Sequence, residues 1–166
     1  MSRSLTDLDS AFRAKVILFQ AKCVERRKFD VLIYCTFRSM EEQARLYRQG
    51  RSYLHITKTA DKLQYYFNRP DLAHILIDVG PQHGKFILTN AAPGMSLHNY
   101  GLAFDGVPLL DGKLVWETSS VEQKALWNQY GELIESCQME WSGRWSRFRE
   151  YPHGQEIGVD WRELIK

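Results

Sequence analysis

The fold is decided by one stretch near the middle of the chain, Ser96-Leu97-His98-Asn99-Tyr100-Gly101-Leu102-Ala103-Phe104-Asp105. Small Ala103 and bulky Phe104 alternate as strand residues do, so we expect a strand that leads Asp105 onto a sheet edge. Gly101 lets the backbone between His98 and Asp105 turn tightly. An imidazole and a carboxylate suit zinc when a second imidazole joins them. The stretch therefore predicts two protein ligands of a metal site.

The segments on either side of this stretch predict more strands. Upstream, residues 84–94 are a β-type run that breaks into a Pro-Gly turn just before Ser96. Downstream, Asp111-Gly112 separates β-type runs over residues 106–110 and 113–116. Asp-Gly between such runs is a strong hairpin signal, so we expect a largely antiparallel sheet.

Apolar residues at intervals of three and four predict helices around the sheet. The predicted helices span residues 4–27, 40–47, 57–67 and 70–77, and a last helix runs from Ser119 or Ser120 through Cys137. Thr6 or Asp7 is available as the first N-cap, and Ser39 with Glu42 forms a capping box. We expect the last helix to bury Val121, Leu126, Trp127, Tyr130, Leu133 and Ile134. The fold class is α+β.

Length, charge and cysteine content limit the protein class. The chain has 166 residues, a length that suits one domain over residues 1–166. Its net charge is only +2, so nucleic acid is a poor candidate partner. The sequence shows neither a signal peptide nor an apolar run that could span a bilayer, so we expect no membrane insertion and a cytosolic location. Cys23, Cys35 and Cys137 lack metal-site spacing, and we expect them to be buried.

A second imidazole is available in Glu150-Tyr151-Pro152-His153 near the end of the chain. Pro152 excludes an ordinary helix across this segment and pushes Tyr151 toward an extended conformation. The segment is therefore predicted to be a rigid turn that aims the Glu150 carboxylate and the His153 imidazole at one point.

Taken together, these motifs resemble the zinc D,D- and L,D-peptidases that cut the peptide stems of bacterial cell walls. The motifs are Thr-x-Arg-Ser-x-x-x-Gln at 36–43, Ser-x-His-x6-Asp at 96–105, Glu-Trp-Ser-Gly-Arg-Trp at 140–145 and Glu-x-x-His at 150–153. The closest likeness is to phage endolysins of the L-alanyl-D-glutamate peptidase type. The resemblance implies a small, mainly antiparallel sheet flanked by helices, as in the hedgehog and D,D-peptidase fold.

The resemblance also assigns roles to residues. It implies that His98, Asp105 and His153 hold one zinc ion and that Glu150 is the general base. Arg38 would orient the substrate and stabilise charge on the scissile carbonyl, because a guanidinium binds an oxyanion without changing protonation state.

Four further residues complete the predicted site. Gln43 and Ser96 would contact the substrate, while Glu140 and Trp141 would support the ligands, with Glu140 as an alternative base ranked behind Glu150. A site with two imidazoles and a carboxylate can also accept cobalt, manganese or iron(II). The remaining histidines, none expected to bind metal, are His55, His74 and His83.

The chain departs from the endolysin pattern at Ser142, which stands where a glycine is usual, and at three further positions. Many endolysins have aspartate at the place of Glu150, whereas the D-alanyl-D-alanine branch has glutamate. Arg144 stands where an aspartate is usual, and Gly154 replaces an aromatic residue. Outer-shell changes typically alter metal affinity or activity by about 10- to 100-fold, so these positions matter for substrate contacts.

The leading prediction is a monomeric endolysin that hydrolyses the stem peptide, with the bond between L-alanine and D-glutamate as the first candidate. It would have no wall-binding domain, and would leave the host cytoplasm for the cell wall once a separate protein permeabilises the membrane. Glu150 keeps a D-alanyl-D-alanine carboxypeptidase open as an alternative. Arg144 and Gly154 keep open a binding protein of the same fold that retains the metal without hydrolysis.

Overall fold

The computed structural model describes residues 1–27, 29–80 and 84–166. The chain divides into two compact units. The sheet unit contains residues 2–37 and 100–158, and the helical unit contains Met1 with residues 38–99 and 159–166. The single catalytic domain over residues 1–166 stays a prediction.

Helices and strands are interspersed along the chain. In chain order they are α1 (Ser10–Lys22), β1 (Asp30–Cys35), α2 (Met40–Arg48), α3 (Tyr53–Asp61), α4 (Pro70–Asp78), β2 (Ala103–Leu110), β3 (Lys113–Leu114), α5 (Val121–Glu135), β4 (Met139–Trp141), β5 (His153–Glu156) and α6 (Trp161–Leu164). Short 3₁₀ turns lie at Leu5–Asp7, Leu97–Tyr100 and Ser142–Arg144, and π-helical turns at Cys23–Arg27 and Lys62–Tyr66.

The sheet lies in the sheet unit, in the strand order β1-β2-β5-β4, with β3 paired to β2. Every described strand pair is antiparallel, so the predicted α+β class with a small antiparallel sheet is confirmed. The expectation that Asp105 sits at a sheet edge is wrong. Asp105 lies on β2, which pairs with β1 on one side and β5 on the other, and this central place buries its side chain.

The predicted hairpin is confirmed, although its second strand is short. Asp111 and Gly112 have φ values of 50° and 74°, and positive φ at both central residues is the geometry that Asp-Gly favours. Beyond the turn Lys113–Leu114 pair with β2, and the Val115 amide adds one hydrogen bond to the Pro108 carbonyl without extending the strand. The strand therefore ends before the predicted residues 115–116.

The strand prediction for residues 84–94 is wrong. The described residues of this run contain a turn near Gly94 but no strand, and its apolar side chains Phe86, Ile87 and Leu88 are exposed. A strand needs a neighbouring strand to satisfy its backbone, and the described helical unit has none. Conversely, β4 and β5 formed where the sequence analysis predicted no strands.

Helix predictions agree best where a local cap fixes the start. Ser39 and Glu42 form the predicted capping box of α2, and Ser120 caps α5. The first helix differs, because Asp9 rather than Thr6 or Asp7 caps α1. α3 starts at Tyr53, four residues before the prediction, with Ser52 as its N-cap.

Each unit has its own core. In the sheet unit α1 and α5 cover the sheet, and the buried residues include Phe12, Phe19, Phe104 and Tyr130. The predicted buried stripe of α5 is confirmed except at Val121, which is 79% exposed because it lies at the first turn. In the helical unit α2, α3 and α4 pack around Ile56, Leu63, Leu72 and Leu76.

The three cysteines, all in the described part of the chain, are buried, as predicted, and none of them forms a disulfide. Among the described helices, none is both long enough and apolar enough to cross a bilayer.

Candidate active site

Asp105 and His153 lie side by side on neighbouring strands of the sheet unit. The register of β2 and β5 places them directly opposite each other, and opposed residues share one face of a sheet. His153 Nδ1 lies 3.1 Å from Asp105 Oδ1. Both side chains are buried, with 2% of Asp105 and 9% of His153 exposed. The structure thus brings together two of the predicted metal ligands.

A chain of hydrogen bonds leads away from the other ring nitrogen of His153. Nε2 of this residue lies 3.0 Å from Gln155 Oε1, and Gln155 Nε2 donates to Glu140 Oε2 over 3.1 Å. Glu140 Oε1 accepts a hydrogen bond of 2.6 Å from Trp145 Nε1. The sequence analysis predicted that Glu140 supports the metal ligands. In the structure Glu140 is connected to the His153 imidazole by hydrogen bonds through Gln155.

Gln155 was missed by the sequence analysis. Its signal was the position two residues after His153, because alternate residues of a strand share a face. That signal has no meaning until β5 is recognised as a strand. Gln155 also lies opposite Glu140 in the register of β4 and β5, which accounts for their contact.

The predicted turn over residues 150–153 is confirmed, and two residues of the 140–145 motif hold its backbone. Ser142 Oγ donates to the Glu150 carbonyl and, over 3.1 Å, to the His153 carbonyl. Trp141 Nε1 donates to the Tyr151 carbonyl over 2.7 Å. Trp141 therefore supports the turn between the predicted base and the predicted ligand.

The remaining carbonyl of this turn belongs to Pro152. It accepts hydrogen bonds from the Tyr130 hydroxyl at 2.8 Å and from the Gly106 amide at 3.0 Å. All four carbonyls of residues 150–153 are thus bonded to the sheet unit. This explains how a segment that lacks helical bonds of its own can hold His153 in place.

Charges around His153 favour its protonated form. Burial works to lower the pKa of the imidazole, but the hydrogen bond and charge of Asp105, together with the charge of Glu150, outweigh burial and raise the pKa above its ordinary value. Glu150 is therefore close enough to His153 to act on it electrostatically. A field of this sign attracts a proton or a metal ion.

The donor set of this pocket suits zinc. Zinc binds imidazole nitrogen, carboxylate oxygen and thiolate sulfur, and the first two converge at Asp105 and His153. Cys35 lies opposite Asp105 on β1, with its sulfur within 4.8 Å of an Asp105 carboxylate oxygen. The burial of Cys35 was predicted from the sequence, but its place beside a candidate ligand was not.

In the helical unit, Arg38 and His98 are joined through their backbones. The Arg38 amide donates to the His98 carbonyl over 3.2 Å, and His98 is 1% exposed. Asn99 reinforces this junction, since its Nδ2 donates to the Arg38 carbonyl at 2.8 Å and its Oδ1 accepts from the Gly94 amide at 3.0 Å. Asn99 is a positioning residue that the sequence analysis missed.

Gln43 is fully buried within the helical unit. Its Nε2 donates to the Ala91 carbonyl over 2.8 Å, while Oε1 has no hydrogen-bond partner among the residues described. Gln43 therefore anchors the segment that leads to Ser96, itself 8% exposed. Contact of Gln43 and Ser96 with a substrate stays a prediction.

Two of the other histidines have partners of their own. His55 Nε2 lies 3.3 Å from the Tyr47 hydroxyl, and the exposed His74 pairs with Asp78 over 2.9 Å on α4. His83 lies outside the described residues.

Residues 89–156 match the model of a peptidase M15 family described as D-alanyl-D-alanine carboxypeptidase. The chain is also 33% identical over 132 residues to the peptidoglycan L-alanyl-D-glutamate endopeptidase CwlK of Bacillus subtilis (strain 168). The predicted resemblance to cell-wall peptidases is confirmed.

The extent of these similarities is limited. The alignment with CwlK covers 77% of this chain and 61% of the relative, so the chain spans about three fifths of the relative's length. The crystal structure of the L-Ala D-Glu endopeptidase ChiX of Serratia marcescens gives a TM-score of 0.48 at 16% identity, covering 99% of this chain and 92% of that chain.

The structure explains two departures from the cell-wall peptidase pattern. Arg144 Nε donates to Glu135 Oε1 over 3.0 Å, and its guanidinium lies 5.3 Å from the Trp141 ring. At Gly154 a Cβ atom would lie 2.7 Å from the Phe104 ring. Gly154 is therefore required by the core of the sheet unit, and Arg144 forms a surface pair.

Proposed function

We propose that this protein is a zinc-dependent peptidase that hydrolyses an amide in the stem peptide of peptidoglycan. The buried Asp105 and His153 pair, with 3.1 Å between its nitrogen and oxygen, carries the proposal. The pair lies within residues 89–156, which match a peptidase family. An imidazole nitrogen and a carboxylate oxygen are two of the ligand types that zinc prefers, and a peptidase gives such an ion a use.

In this proposal Asp105, His153 and His98 would hold one zinc ion. Support for His98 comes from its place seven residues before Asp105 in the matched segment and from the imidazole chemistry that zinc prefers. When bound, zinc supplies Lewis-acid polarisation of the amide carbonyl and of the attacking water.

In this proposal the protein's own residues move the proton and hold the substrate. The Glu150 carboxylate takes a proton from the attacking water and delivers it to the leaving amine nitrogen. Arg38 binds the developing oxyanion through its guanidinium, and Gln43 and Ser96 contribute to the substrate cleft. Glu140 and Trp141 hold the ligand and the turn, through the contacts described above.

Two bonds in the stem peptide are candidates. The name of CwlK, an L-alanyl-D-glutamate endopeptidase, favours the bond between L-alanine and D-glutamate. The family description, D-alanyl-D-alanine carboxypeptidase, and the glutamate at position 150 favour the terminal D-alanine bond as a second candidate. We propose the first bond, with a monomeric endolysin acting on the host wall as its biological setting.

Substituting Glu150→Gln tests the proposed chemistry. The amide of the new glutamine cannot accept the proton. General-base catalysis typically contributes about 10²- to 10⁴-fold, so we expect the rate of peptidoglycan hydrolysis to fall by about 100-fold or more. Zinc content should remain at that of the unsubstituted protein. The exposed Glu117→Gln serves as a matched control. Unchanged hydrolysis in the Glu150 variant would reject this base, and a protein that binds no zinc would reject the metal site.

A further inference from the structure

The hydrogen-bond chain that starts at Trp145 has only one consistent assignment of donors and acceptors. The indole Nε1 of Trp145 can only donate, and an ionised Glu140 carboxylate can only accept. Glu140 therefore receives Trp145 on Oε1 at 2.6 Å and the Gln155 amide nitrogen on Oε2 at 3.1 Å.

This assignment fixes the orientation of the Gln155 amide. Because its nitrogen faces Glu140, its oxygen faces His153 Nε2, at 3.0 Å. An amide oxygen only accepts, so His153 Nε2 must carry a hydrogen. In the neutral imidazole the lone pair then lies on Nδ1, the nitrogen that is 3.1 Å from Asp105 Oδ1.

We infer that Glu140, acting through Gln155, is a positioning residue that places the His153 proton on Nε2 and presents Nδ1 to the metal. Without this chain the proton would prefer Nδ1, where the Asp105 carboxylate accepts it. With the chain in place, the Nδ1 lone pair of the neutral imidazole faces Asp105 Oδ1 across 3.1 Å, a place that either a proton or a metal cation can fill. The consequence for metal binding rests on the proposed function, whereas the tautomer does not.

Two substitutions of nearly equal size separate this role from simple packing. In Glu140→Gln the new amide still accepts from Trp145 through its oxygen, and its nitrogen now donates toward Gln155. The Gln155 amide must then reverse, so that its nitrogen donates to His153 Nε2 and drives the proton to Nδ1. Adding Gln155→Glu restores an acceptor that takes hydrogen bonds from both sides, and returns the proton to Nε2.

The experiment is ¹⁵N NMR of histidine-labelled, metal-free protein at a pH where His153 is neutral, followed by zinc titration. We expect Nε2–H in the unsubstituted protein, Nδ1–H in Glu140→Gln, and Nε2–H again in the double variant. Zinc affinity should fall by about 10- to 100-fold in the single variant, the usual effect of losing an outer-shell partner, and recover in the double variant. Glu122→Gln, exposed on α5, is the control.

Each outcome decides between the proposals. An Nδ1–H tautomer in the unsubstituted protein, or the same tautomer in all variants, overturns the inference and leaves the proposed peptidase standing. If the single variant does not fold, the unsubstituted spectrum still tests the assignment. The predicted tautomers without any zinc binding would support the inference and reject the metal site.

Discussion

At the residue scale, Gly154 shows how a position that departs from the family pattern is set by packing. A Cβ atom there would lie 2.7 and 2.9 Å from two carbons of the Phe104 ring and 3.3 Å from Ile134 Cδ1. The ring cannot move away easily, because it is fully buried beside Phe12 and Phe19. Sequence alone showed the glycine but not the ring that excludes a side chain.

We predict that Gly154→Ala destabilises the protein by about 1–3 kcal/mol, the usual effect of overpacking a core. This exceeds the roughly 0.5–1 kcal/mol that alanine gains over glycine in regular structure. Urea unfolding measures the change. In a Phe104→Leu background the same substitution should be less destabilising, and an equal loss in both backgrounds would contradict the assigned contact.

A second prediction at this scale concerns Cys23. The pKa of its thiol is raised from 9.0 to about 12, mainly by burial and to a smaller extent by the charges of the nearby Cys137 and Asp30. The unfolded chain therefore loses this proton first as pH rises, and folding stability falls between about pH 9 and pH 12. We expect a lower urea midpoint at pH 10.5 than at pH 8.

Comparison with Cys23→Ala isolates this thiol from other groups. Burial also raises the pKa of Tyr130, so the variant should retain part of the alkaline loss and show a shallower dependence on pH. Identical pH dependence in the two proteins would rule out the thiol as a contributor.

At the element scale, short elements were predictable when their determinants were local. The capping box of Ser39 and Glu42 and the Asp111-Gly112 turn are each encoded within a few residues. Strands β4 and β5 were not predictable, because their residues become strands only by pairing with each other and with β2. The apolar residues 86–88 have no such partner, and no strand forms.

The turn over residues 150–153 gives the prediction at this scale. Ser142→Ala removes the donor to the Glu150 and His153 carbonyls, and leaving buried acceptors unpaired costs about 1–3 kcal/mol. We expect lower stability in urea unfolding and faster amide hydrogen exchange across residues 150–154. Ser136→Ala removes an exposed hydroxyl just after α5 and should leave exchange across residues 150–154 unchanged. Equal exchange in both variants would refute the role of Ser142.

At the scale of the whole molecule, the predicted ligands are divided between the two units. Asp105 and His153 belong to the sheet unit, and His98 belongs to the helical unit. The sequence supplied these ligand types through their spacing and resemblance. It could not supply the Gln155 and Glu140 chain or the Cys35 neighbour, because those contacts depend on strand register.

The role of His98 is testable by metal affinity. Loss of an outer-shell residue typically weakens metal binding by about 10- to 100-fold. We predict that His98→Ala weakens zinc binding by more than this. His55→Ala and His74→Ala, which remove histidines with partners of their own, should bind zinc as the unsubstituted protein does. Competition titration with a zinc chelator measures all three, and equal affinities would remove His98 from the ligand set.

The most direct test of the central claim is mass spectrometry of purified peptidoglycan digested with zinc-loaded protein, alongside a chelator-treated sample. We predict new L-alanine carboxyl ends on the glycan and released peptides that begin with D-glutamate, both absent with chelator. Release of terminal D-alanine alone would instead support the carboxypeptidase. Intact stem peptides after digestion with zinc-loaded protein would contradict the account.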